Sequence, residues 1–117
     1  GAEVIPVVGE AAAERRVPLS DGIDELADRG IEDLMVEGGG EIVFSLFEGG
    51  LVDELSVYVG SLLFGGRDAP TLADGPGFVE QFPRLSLREV TRIDDGVLLR
   101  YAVDEPTNSG GYGAEPP

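Results

Sequence analysis

The sequence predicts an α/β fold with a mixed sheet, parallel in its early strands and closed by a C-terminal antiparallel hairpin. Three observations carry that prediction. An apolar, β-branched run at 2–8 precedes a helical pattern and a second apolar run at 31–36. Three consecutive glycines, Gly38-Gly39-Gly40, then turn that run into a segment with apolar residues at helical spacing. Later, Asp94-Asp95-Gly96 separates two further apolar runs, which is a hairpin signal.

Taken in order, Ala2 to Val8 reads as a buried strand, with Pro6 favouring an end or edge position. Residues 9–16 are rich in alanine, glutamate and arginine and read as a surface connection. Ser20 or Asp21 can cap a helix over about 21–29, with Asp24 and Glu25 in its first turn, and Ile23, Leu26 and Ala27 facing inward. Gly30 is placed to end it in the left-handed conformation. Ile31 to Val36 is then a second strand, and strand, helix, strand favours parallel pairing through a right-handed crossover. A second helix over 41–48 stops at Gly49-Gly50, and Leu55, Val57 and Val59 share one face of the next strand. The glycine- and proline-rich stretch 60–84 reads as a long loop of the functional kind. Strands over 85–92 and 97–103 follow, the last read as an edge available to a second copy, and 105–117 reads as a disordered tail.

Composition bounds the function. The 117 residues allow one modest domain, and 42% hydrophobic residues are enough for a core. Asp and Glu number 23 against 8 basic residues, all arginine, giving a net charge of −15. Such a surface repels nucleic acid and anionic membranes. A lysine-free acidic surface fits a salt-adapted, halophilic cytoplasm. With neither cysteine nor histidine there is no thiol nucleophile, no imidazole base and no imidazole zinc site, so no metal is expected. Nothing resembles a signal peptide or a membrane span, and a cytoplasmic location is expected. The chain opens at Gly1 directly into the first strand pattern, which reads as a fragment, so a partial domain is expected.

The chemistry centres on the glycine turn. A strand that turns through glycines into a helix leaves backbone N–H groups at the helix start, and with the positive end of the helix dipole these form a phosphate site. The same pattern also serves a tight connection with no ligand. Neither Gly-Lys-Ser/Thr nor Gly-x-Gly-x-x-Gly is present. Glu37, just ahead of the turn, is delivered into the same crevice. Asp53-Glu54 reads as a solvated acidic pair and Arg67-Asp68 as a loop ion pair.

Several stretches together resemble one family. They are Val36-Glu37-Gly38-Gly39-Gly40 after Gly30-Ile31, then Gly50-Leu51-Val52-Asp53-Glu54-Leu55, then Gly65-Gly66-Arg67-Asp68-Ala69-Pro70-Thr71-Leu72 with Gly75-Pro76-Gly77-Phe78. The match is to the C-terminal half of the archaeal 2,5-diamino-6-ribosylamino-pyrimidinone 5′-phosphate reductases of riboflavin biosynthesis. These are similar to the reductase domain of the bacterial deaminase-reductase and share the dihydrofolate reductase-like fold. The resemblance covers about 1–103, with 1–104 the reductase part. It implies an NADPH-dependent reduction of a nucleotide-like small molecule, opening its ribose to a ribityl chain, in a homodimer. It further implies that Gly38, Gly39, Gly40 and the backbone of Glu41 hold the cofactor pyrophosphate, that Val17 lines the adenine side, and that Glu37 faces the ribose and nicotinamide. Ser61 stands where many relatives place a proline, and the family's first half is missing. The rivals are a non-catalytic fragment or nucleotide-binding module, and a pterin or dihydrofolate-type reductase of the same fold.

Overall fold

The computed structural model describes residues 2–6 and 18–105. Within them the chain forms two helices, α1 (Leu19–Asp28) and α2 (Gly40–Glu48), and three strands, β1 (Glu54–Val59), β2 (Leu85–Ile93) and β3 (Gly96–Val103). The expected surface connection, Val17 and the tail from 106 onward lie outside the described residues.

Helix α1 starts two residues ahead of the expected position. Its N-cap is Pro18, φ −69°, with no side-chain cap, so neither Ser20 nor Asp21 caps it, and Asp21 supplies the acidic charge of the first turn. Proline suits a helix start because its φ is preset and no amide is needed there. Ile23 and Leu26 are half-buried, while Ala27 is exposed. At the other end Gly30 adopts φ +91° as expected. Its amide donates to the Ala27 carbonyl at 2.9 Å and the Ile31 amide to the Leu26 carbonyl at 3.1 Å, a Schellman closure. Gly50 (φ +67°) ends α2 in the same way, with the Leu51 amide donating to the Leu46 carbonyl at 2.9 Å.

The sheet has the order β1-β3-β2, and both pairings are antiparallel. Strand β3 is therefore the centre of the sheet and not the edge that the sequence suggested. The hairpin closes with Ile93 opposite Gly96. Asp94 holds φ 55°, a left-handed position that aspartate tolerates better than most side chains. A bulge at Arg88 shifts the β2 register between Leu87 and Glu89. The end of β1 folds over the turn: Tyr58 donates to the Ile93 carbonyl at 3.1 Å and Ser61 to that of Asp95. A Cβ at the buried Gly96 would sit 2.7 Å from the Val59 carbonyl and inside the Tyr58 ring contact, so glycine is required there.

Among the described residues the expected early parallel strands are not formed. Residues 2–6 and 31–36 are extended or irregular without pairing, and the sheet of the described residues is wholly antiparallel. A strand is stable only when its backbone N–H and C=O groups find partners. Met35 is accordingly 81% exposed, and Val4, Ile31 and Leu34 are exposed with it. The buried apolar side chains among the described residues are Phe44 and Leu46, both on α2.

Candidate functional site

The glycine turn delivers α2 as expected, one residue early. Gly39 is the N-cap, with φ 45° and ψ 153°, a backbone region that favours glycine. The first helical bond runs from the Val43 amide to the Gly39 carbonyl at 3.2 Å. The amides of Gly40, Glu41 and Ile42 precede it and have no acceptor within the helix. They form a cluster of donors at the positive end of the α2 dipole.

The three glycines are there for different reasons. Gly39 needs its positive φ, and a Cβ at either Gly38 or Gly39 would meet nothing within 4 Å. Gly38 has neither a positive φ nor a close neighbour, so nothing in the fold requires glycine at 38. At Gly40 a Cβ would meet the Thr71 carbonyl at 2.8 Å and Asp74 Cγ at 2.6 Å. Glu37, Gly38 and Gly39 are exposed, Gly40 is half-buried and Glu41 is exposed in the first turn of α2. Residues 37–41 thus form one continuous surface, and Val17 lies outside the described residues.

Sequence reasoning marked 60–84 as a functional loop but did not single out Asp74, through which that loop meets this turn. The Asp74 amide donates to the Gly40 carbonyl at 2.9 Å. Its carboxylate accepts from the Thr71 amide at 2.8 Å and from the Thr71 hydroxyl. Those bonds hold the Asp74 carboxyl below the usual carboxylate range, the Thr71 hydroxyl contributing most and the Thr71 amide next. Their contribution to stability is therefore present above the ordinary carboxylate range and is lost as pH falls through the lowered value. Four residues into α2, Phe44 stacks on Phe78 with ring centroids 4.8 Å apart. A Cβ at Gly75 would lie 2.7 Å from the Phe44 ring. The signal was available as a threonine three residues ahead of an aspartate, followed by Gly-Pro-Gly-Phe.

A shallow cleft of about 180 Å³ beside this contact is lined by Glu41, Phe44, Ser45, Glu48, Asp74, Gly75 and Pro76. Its three carboxylates make it electronegative, and two of them, Glu41 and Asp74, lie beside the amide cluster. Arg67 and Asp68 form no ion pair among the described residues; the pairs there are Arg29 with Glu3 and Glu25, and Arg100 with Glu89 at 3.3 Å. No group of three His, Cys, Asp or Glu among the described residues could hold a metal ion. No helix among them is long and apolar enough to cross a membrane.

The fold defines a class. A pyrimidine reductase-like protein from Corynebacterium diphtheriae has a similar solved structure, with TM-score 0.67 and 21% identity, covering 78% of this chain and 37% of that one. The chain belongs to the RibD C-terminal domain family, whose sequence model matches residues 2–99. The 2,5-diamino-6-ribosylamino-4(3H)-pyrimidinone 5′-phosphate reductase of Archaeoglobus fulgidus is 41% identical over 86 residues, 74% of this chain and 38% of that protein. The reductase of the same name from Methanothermobacter thermautotrophicus is 40% identical over 94 residues, 79% of this chain and 44% of that protein. The chain therefore spans about two fifths of the length of these relatives.

Proposed function

We propose that this chain is the cofactor-phosphate part of an NADPH-dependent oxidoreductase of riboflavin biosynthesis. The reaction reduces the ribosyl group of 2,5-diamino-6-ribosylamino-4(3H)-pyrimidinone 5′-phosphate to the ribityl form. The supporting observation is the cluster of free amides at Gly40, Glu41 and Ile42, opened by a glycine at 38 that the fold itself does not need. A bare Cα at 38 suits close approach of a ligand to the backbone. In favour of a pyrophosphate are three successive amides at a helix start and the open space at Gly38 and Gly39, where a Cβ would meet nothing within 4 Å.

NADPH, when bound, supplies hydride to C1 of the ring-opened sugar imine, whose nitrogen takes a proton. The amides of 40–42 would hold its diphosphate. Glu37, exposed at the mouth of the turn, binds sugar hydroxyls or carries the proton. The net charge of −15 with no lysine suits a salt-rich archaeal cytoplasm, and an exposed sheet edge, β1 or β2, suits a homodimer. The chain spans about two fifths of these relatives, so the reaction is read from the longer proteins it matches, and nucleotide binding without turnover is the second reading.

Fluorescence titration with NADPH tests this. Gly38→Val should raise the dissociation constant about tenfold or more and leave the thermal midpoint unchanged. An unchanged constant in the folded variant removes the turn as the phosphate site. Oxidation of NADPH by dihydrofolate, and not by the pyrimidine ribosyl phosphate, would place the chain in the other reductase class.

A further inference from the structure

We infer that Asp74 is a positioning residue for the phosphate turn, holding the 71–78 loop against Gly40 so that the amides of 40–42 keep their direction. This rests on the pyrophosphate reading above. Two independent contacts carry it. The first is polar: Asp74 donates its amide to the Gly40 carbonyl and accepts on its carboxylate from the Thr71 amide and hydroxyl. The second is steric: the Gly40 Cα fits against Asp74 and the Thr71 carbonyl with no room for a methyl group. Gly40 thus starts the helix and serves as the seat of the loop. The packing of Phe44 on Gly75 and Phe78 fastens the same loop one turn further along α2.

Charge alone argues the opposite way. A carboxylate beside a diphosphate repels it, so an Asp74 that acted only through its charge would weaken cofactor binding. The two roles therefore predict opposite signs for the same substitution.

The experiment is NADPH titration of the full chain with Asp74→Ala and Asp74→Asn, alongside thermal midpoints. Positioning predicts a dissociation constant raised about tenfold in Asp74→Ala and largely restored in Asp74→Asn, whose amide oxygen still accepts from Thr71. It also predicts that the effects of Asp74→Ala and Gly40→Ala fall short of additive when combined, since each releases the same loop from the start of α2. Tighter binding in both Asp74 variants, or an unmoved constant, overturns the positioning role while leaving the phosphate turn in place. Failure of the unaltered chain to bind NADPH overturns the pyrophosphate reading, and the role of Asp74 falls with it.

Discussion

The two ends of the described chain contain apolar runs of similar character and meet different fates. Residues 85–103 form a paired hairpin, and β1 joins it to make a three-stranded sheet. Residues 2–6 and 31–36, just as rich in valine, isoleucine and leucine, stay unpaired, with Met35 and Val4 among the most exposed side chains. Composition does not separate them; the availability of a partner does. The hairpin carries its partner across a two-residue turn, whereas a parallel strand needs a neighbour brought by a crossover. Strand formation is a property of pairs of segments, and only one of these regions holds both members close in sequence.

Three substitutions would break or sharpen that contrast. The largest effect is expected at Gly96→Val, which drives a side chain into the Tyr58 ring and the Val59 carbonyl. Urea unfolding should show a loss of about 3 kcal/mol, the upper range for overpacking. A variant as stable as the parent would mean that β1 does not clamp the hairpin. Next, Asp94→Gly relieves a left-handed aspartate at the turn and should stabilise the sheet by about 0.5 kcal/mol, after the entropy cost of glycine is subtracted. A loss of stability would mean that the Asp94 side chain has an unseen partner. Smallest is Met35→Ser on the unpaired run, expected within about 0.5 kcal/mol of the parent, as for exposed positions in general. A cost of 2 kcal/mol or more, about what burial of such a side chain is worth, would show that 31–36 is covered in solution and would dissolve the contrast.

The local signals were legible and the non-local ones were not. Gly30 and Gly50 closed their helices where the pattern put them, because a helix end is decided by its own last residues. The Asp94-Asp95-Gly96 turn was readable for the same reason. The start of α2 at the glycines was also legible, since the turn lies within a few residues of the donors it frees. Strand order was not: nothing local says that β3 lies between β1 and β2, so 97–103 passed for an edge. Asp74 escaped for a related reason, since its importance comes from Gly40, which lies far away in sequence and adjacent in space.

The placement of β3 between two strands that precede it constrains how the molecule assembles. The β2-β3 hairpin can zip from its turn in a purely local event, but β1 must find β3 across the whole of 60–84. The hairpin should therefore form first and β1 dock last, with Tyr58 and Ser61 locking onto a turn already made. The loop that carries Asp74 is then the segment whose ends that late step brings together, and its closure is the entropic cost of adding β1.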